Sequence, residues 1–146
     1  MKRYLDTSLV IAALTSEERT AAVHDWLDEK VRARSGATGL VVSDWTVTEI
    51  ASALSLKIRT GQIGPNDRHD IDDVLSAWLE ASLERVPVPR TAFLDAARLL
   101  RHHDTGLRAG DALHLATADH HGLPLATLDS TMAHAGSALG LRTELV

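Results

Sequence analysis

The chain has no cysteine. That removes disulfides, thiolate nucleophiles, zinc fingers and thiolate-held iron–sulfur clusters, and it fits a reducing cytoplasm. Aromatic residues are scarce, with one Phe, one Tyr and three Trp among 146 residues, so stacking of several bases, as in a dedicated single-strand binder, is not expected. Bases are outnumbered by acids, 15 to 20. The balance speaks against a sequence-independent DNA binder, but not against an enzyme whose acids hold metal. No apolar run approaches the length of a membrane span. Lys2-Arg3 and the later run Leu9 to Leu14 faintly suggest a signal peptide, yet Asp6 interrupts the stretch and no Ala-x-Ala site follows. Repeats, low-complexity tracts and linkers are also missing. The expectation is a soluble, cytoplasmic protein with no membrane association, folded as a single domain over residues 1–146.

What is present is a chain 45% hydrophobic, long enough to build a core without staples. Residues 2–5 read as a strand ending at Asp6, followed by a helix from Ser8 to Leu14. Ser16-Glu17-Glu18 opens a second helix through Arg34, with acids in its first turn to suit the dipole, and residues 35–39 read as a turn. Leu40-Val41-Val42 is a short buried strand. Ser43 or Asp44 caps a helix to Arg59, stopped by Gly61, and Pro65 starts another through Ser82. Arg85 to Val88 reads as an edge strand because it carries a proline. Helices from Pro89-Arg90 to His102 and from Asp111 to Gly122 follow. Leu125 to Leu128 is a strand, then come a short helix and a last strand, Arg142–Leu145. Strands alternating with helices imply an α/β fold: a three-layer α/β/α sandwich around a mostly parallel sheet. The short apolar strands fit a sheet covered on both faces, whose reactive groups gather beyond the strands' carboxyl ends.

Asp6 and Asp129 each follow such a strand, so parallel strands would bring both carboxylates to one edge. Taken singly, each is as well explained as a helix cap. Glu49 is harder to explain structurally. Its helix has an apolar stripe of Val47, Ile50, Ala51, Leu54 and Ile58 and a solvated face of Thr48, Ser52, Ser55 and Arg59. Glu49 falls among Trp45, Ala53 and Leu56, which predicts a helix buried on two sides, and a carboxylate there needs a salt bridge or a metal. Asp111 heads the inward stripe of its helix, with Leu115 and Ala118 at i+4 and i+7. Carboxylates gathered together repel and raise one another's pKa unless a cation is present. An all-oxygen set suits Mg²⁺ or Mn²⁺, and such an ion equips a site for phosphodiester hydrolysis without a protein nucleophile.

Four segments together, Tyr4-Leu5-Asp6-Thr7-Ser8, Thr48-Glu49-Ile50, Gly110-Asp111-Ala112-Leu113-His114-Leu115-Ala116 and Thr127-Leu128-Asp129, resemble the PIN-domain ribonucleases. More narrowly, the chain looks like a VapC-type toxin of a toxin–antitoxin pair, and the resemblance covers nearly its whole length. It implies a PIN-like fold in which Asp6, Glu49, Asp111 and Asp129 bind one or two Mg²⁺ or Mn²⁺ ions, with Asp6 and Asp111 as central ligands. Ser8 matches a hydroxyl position near the metal, and Thr127 has a similar supporting role. The implied activity is cleavage of single-stranded or loop RNA, typically transfer or ribosomal RNA. The implied partners are a small antitoxin whose tail covers the acidic pocket and a second copy of the chain in a homodimer.

Other residues carry weaker expectations. Arg108, nearest the acids in sequence, is the best candidate for a phosphate contact, ahead of Lys2, Arg3, Lys57 and Arg59. His114, one turn after Asp111, either touches substrate, hydrogen-bonds an acid or packs structurally. His102-His103-Asp104 and His120-His121 read as solvated helix ends rather than a second metal site, and the three Trp residues as core or dimer surface. The rival readings are a phosphatase on a similar sheet, a non-catalytic PIN-like binding or interaction module, and a DNA nuclease with the same metal chemistry. The common aspartyl-nucleophile phosphatase needs an Asp two positions after the first, where this chain has Ser8.

Overall fold

The computed structural model describes residues 1–32 and 39–146. The predicted residues 33–34 of the second helix and the turn at 35–38 lie outside the described residues. Five strands form one sheet: β1 (Arg3–Leu5), β2 (Leu40–Ser43), β3 (Leu83–Val86), β4 (Leu125–Thr127) and β5 (Thr143–Leu145), in the order β3-β2-β1-β4-β5. Every pairing is parallel, so the sheet is wholly parallel where a mostly parallel one was predicted. The helices are α1 (Thr7–Leu14), α2 (Thr20–Arg32), α3 (Asp44–Arg59), α4 (Pro65–Ala81), α5 (Arg90–Leu99), α6 (Ala109–His120) and α7 (Ser130–Ala138).

Alternation along the strands decides the two faces. Leu5, Leu40, Val42 and Ala126 pack with Leu9, Val10, Val23, Ile50, Leu54 and Leu75 of α1–α4. Tyr4, Val41 and Leu125, one residue out of phase, pack on the opposite face with Leu115 and Ala118 of α6 and Met132 of α7. Ala92 and Ala96 of α5 close against Ala112, Leu113 and Ala116 of α6. Small residues let these two helices approach closely. The result is a three-layer α/β/α sandwich, as the apolar strands imply.

The element ends differ from the sequence reading where tertiary bonds set them. Helix α2 starts at Thr20 and not Ser16, because the Thr20 hydroxyl donates to the Ala12 and Thr15 carbonyls (2.8 Å each) and holds the preceding residues in a turn. The edge strand is Leu83–Val86 and pairs only with β2, leaving Pro87 just beyond it. Helix α5 stops at Leu99, three residues short of His102, and the chain turns through His103–Thr105 to Gly106 at φ +74°. Helix α6 begins at Ala109, which makes Asp111 its third residue rather than its cap.

Gly136 of α7 marks tight packing on the face that carries α6 and α7. A Cβ there would stand 2.5 Å from Thr143 Cγ2 and 2.8 Å from Leu115 Cδ2. Gly136→Val is therefore expected to cost about 2 kcal/mol by overpacking, read as a fall of roughly 4–8 °C in melting temperature. An unchanged melting temperature would show that α7 can lift from β5 at no cost.

Candidate metal-binding and catalytic site

The sheet grows outward from β1 toward β2 and β3 on one side and toward β4 and β5 on the other. The strand order thus reverses beside β1, the point at which such sheets leave a crevice beyond the carboxyl ends of the strands, here β1 and β4. Registers Tyr4 with Leu125 and Leu5 with Ala126 keep the ends of these strands level. Asp6 leaves β1 here as the cap of α1, accepting from the Leu9 amide at 3.2 Å. Asp129 follows β4 as the cap of α7, accepting from the Met132 amide at 3.0 Å. The cap reading and the shared-edge reading both hold, because Asp is a good helix cap and both strand-to-helix turns fall at the carboxyl edge of the sheet.

Asp6 is 2% exposed. Ser8 Oγ donates to both its carboxylate oxygens at 2.9 Å and Thr127 Oγ1 to Oδ2 at 2.9 Å. The same two hydroxyls accept from the Leu128 amide at 3.1 Å and the Asp129 amide at 2.9 Å. They tie the end of β4 to Asp6. Burial pushes the Asp6 carboxyl above the ordinary carboxylate value, against the pull of nearby His114 and of these hydrogen bonds.

Asp111 is half-buried and accepts from the Arg108 amide at 3.0 Å. Its carboxyl is also pushed up, first by burial and further by the charges of Asp129 and Glu49, with the Arg108 amide and His114 opposing. Glu49 is half-buried on α3 and accepts from Thr7 Oγ1 at 2.6 Å and from His114 Nε2 at 2.6 Å. Burial pushes it up, but the bonds from His114 and Thr7 outweigh this and hold it below the ordinary range. Its helix is not buried on two sides as predicted. The buried line is Thr46, Ile50 and Leu54, while Ala51 is exposed and Leu56 is 51% exposed. Glu49 sits at the boundary and finds its partners across the crevice.

The fold sorts the basic residues and His114 that the sequence offered. Lys2 and Arg3 lie at the amino end of β1, away from the crevice, and pair with Glu84 and Glu144. Lys57 pairs with Glu17 at 2.7 Å. Arg108 remains at the crevice, exposed at the cap of α6. His114 is 1% exposed and hydrogen-bonds Glu49 from beneath, which is one of its three sequence readings. Sequence reasoning passed over Thr7 and Gly110. The only sequence signal for either was its place beside an acid.

By charge and atom type the donor set fits a hard divalent cation: all-oxygen, with like charges crowding Asp111, and no Lys or Arg ion-paired with Asp6, Asp111 or Asp129 among the described residues. The side chains shown are those of acids hydrogen-bonded within the protein. Among the described residues no three Asp, Glu or His groups converge on a single point. Electrostatic coupling reaches farther than coordination, which reconciles crowding with the lack of convergence. Side-chain rotation of the half-buried acids would have to close the gap.

A family model described as PIN domain matches residues 3–137 of the chain. A comparison with curated proteins finds no match. Similar solved structures include FitAcB from Neisseria gonorrhoeae, with 21% identity and a TM-score of 0.65 over 96% of this chain and 94% of that one. VapBC2 from Rickettsia felis, bound to a DNA fragment from its promoter, has 16% identity and a TM-score of 0.68 over 99% and 98%. The Mycobacterium tuberculosis VapC20, described as a sarcin–ricin loop cleaving toxin, has 17% identity and a TM-score of 0.67 over 92% and 95%. At these identities the structures establish the shared fold.

Proposed function

This chain belongs to the PIN domain family, and from that premise we propose that it is a metal-dependent endoribonuclease, the toxin of a toxin–antitoxin pair. The observation that carries the reading is the crowding at Asp111. Burial raises its carboxyl first, and the charges of Asp129 at the end of β4 and Glu49 of α3 raise it further, with no Lys or Arg paired to Asp6, Asp111 or Asp129 among the described residues. A fold has little use for such repulsion unless a cation relieves it.

Asp6, Glu49, Asp111 and Asp129 are the proposed holders of Mg²⁺ or Mn²⁺. A bound ion would lower the pKa of water and neutralise charge developing on a phosphate. The protein's own contribution is orientation. Ser8 and Thr127 fix both oxygens of Asp6, and Thr7 fixes one oxygen of Glu49. Arg108, exposed at the cap of α6, is the proposed contact to a phosphate beside the cut.

The proposal of an RNA substrate is supported by the family and by neighbours such as the sarcin–ricin loop cleaving toxin. Single-stranded or loop regions of transfer or ribosomal RNA are the proposed targets. A small antitoxin is the proposed inhibitor, by analogy with the solved toxin–antitoxin complex from Klebsiella pneumoniae, and a homodimer is the proposed assembly. Among the described residues no helix is long and apolar enough to cross a membrane.

Calorimetry with Mn²⁺ and end-mapping of RNA after incubation with purified protein test the reading. Mn²⁺ uptake that disappears in Asp111→Asn, together with internal RNA cuts, is expected. No uptake and no cleavage would point to an interaction module, and a trapped phosphoryl-aspartate to a phosphatase.

A further inference from the structure

Beneath the acids runs a chain of buried polar groups that the proposed cleavage does not itself use. Tyr4 and His114 are both fully or almost fully buried. The Tyr4 hydroxyl lies 2.6 Å from Ser43 Oγ, 3.2 Å from Thr46 Oγ1 and 2.8 Å from His114 Nδ1. The other ring nitrogen, Nε2, lies 2.6 Å from Glu49 Oε2 and 3.2 Å from Thr7 Oγ1. Four elements meet in this line: β1, the β2–α3 junction, α6 and the start of α1.

The chemistry of the partners fixes the direction of the bond to Glu49. The Glu49 carboxylate only accepts, so the His114 Nε2–H donates to it. That places a proton on Nε2, while Nδ1 holds the Tyr4 hydroxyl in either state of the ring, accepting from it when the ring is neutral and donating to it when charged. Ser43 is itself held by a reciprocal cap, its Oγ accepting from the Thr46 amide at 3.2 Å and its amide donating to Thr46 Oγ1 at 3.1 Å. The line is thus anchored at its far end in a helix N-terminus and points its last N–H at one oxygen of Glu49.

We propose that His114, oriented by Tyr4, is a positioning residue that holds Glu49 with one oxygen turned inward, so that Glu49 Oε1 is the atom left to face the ion. The proposal rests on the metal-site reading given above. A buried polar network is costly unless fully satisfied, and packing alone would be served as well by a leucine. Outer-shell partners that orient a ligand carry this kind of cost elsewhere, typically about 10–100-fold in metal affinity when removed.

The test is Mn²⁺ calorimetry on the full chain with a double-mutant cycle. His114→Met keeps the volume and removes the donor, and a roughly 10–100-fold rise in the Mn²⁺ Kd is expected. His114→Gln restores an N–H on a side chain of similar reach and should recover most of the affinity. In a Glu49→Gln background, His114→Met should add little further loss, because its effect runs through that carboxylate. Tyr4→Phe keeps the ring and carries the test if the Met variant does not fold, with a smaller weakening of about three- to tenfold expected. Wild-type Kd in His114→Met or Tyr4→Phe would overturn the proposal, as would equal losses with and without Glu49. Wild-type protein that takes up no Mn²⁺ would overturn the metal-site reading together with it.

Discussion

Asp6→Asn is expected to lower RNA cleavage by roughly 10³-fold, since the ion that Asp6 is proposed to hold would supply several kcal/mol of charge stabilisation. The fold should survive, because Asn is a good helix cap and keeps an oxygen toward Ser8 or Thr127. The same substitution has a readable effect on the ion-free protein. Burial raises the Asp6 carboxyl in the folded state above its ordinary 3.8. Between that value and the folded one, the folded state binds more protons than the unfolded, so rising pH weakens the fold through this window. Below the ordinary value the penalty is absent. Asp111 contributes in the same direction, while Glu49, lowered in the fold, contributes stability present above its ordinary 4.5 and lost as pH falls. Comparing variant with wild type isolates Asp6. The melting temperature of Asp6→Asn should gain on wild type as pH rises above about 4, and saturating Mn²⁺ should reverse the order. Thermal scans across pH with a chelator present, beside cleavage rates, decide the matter. A pH-independent difference, or normal cleavage by the variant, would remove Asp6 from the site.

The second large effect lies at a glycine. A Cβ on Gly110 would stand 2.6 Å from Glu49 Oε1 and 3.5 Å from the Trp45 ring. The clashing atom is the far end of a flexible side chain, so Gly110→Ala should not destabilise the fold. Alanine within a helix can even add roughly 0.5–1 kcal/mol. What it cannot leave in place is the Glu49 carboxyl, which must swing away from Thr7 and His114. A displacement of about an ångström at a reacting centre is enough for roughly 10²-fold in rate. The expected result is therefore a split: melting temperature held or raised, cleavage down by about that factor. Kinetics and thermal unfolding on the same preparation check it. Full activity would mean that Glu49 is not needed where it stands, and a collapse of both would mean that Gly110 serves packing instead.

These two residues show how differently parts of the site were written in the sequence. Asp6 was legible because a short apolar strand followed by Asp is a local pattern, and the same holds for Asp129 after Leu125 to Leu128. Gly110 was not legible. Its need for no side chain comes from Glu49, which approaches from α3 across the crevice. Glu49 itself was singled out for the wrong surroundings. The sequence pattern put it on a doubly buried helix, whereas Leu56 beside it is open to solvent, and what satisfies it is a histidine 65 residues away. His114 was open to three readings from sequence because helical spacing places it one turn after Asp111 but says nothing about which way that face is turned.

The helix ends follow the same division. Pro65 at the start of α4 and the cap at Ser43 were set locally. The start of α2 was set by one threonine hydroxyl reaching the carbonyls of Ala12 and Thr15, and no periodicity could announce it.

Taken by itself, the order of residues determined the layers, the parallel sheet and the carboxylates at strand ends, because burial on two faces and the turn from strand to helix each impose a short-range pattern. Only the tertiary structure decided that the Thr127 hydroxyl reaches Asp6, that His114 is buried against Glu49, and that Gly110 stands against the Glu49 carboxyl. Those are contacts between segments 40 to 120 residues apart, and their energies depend on where the sheet sets its edges, which no local run of side chains encodes.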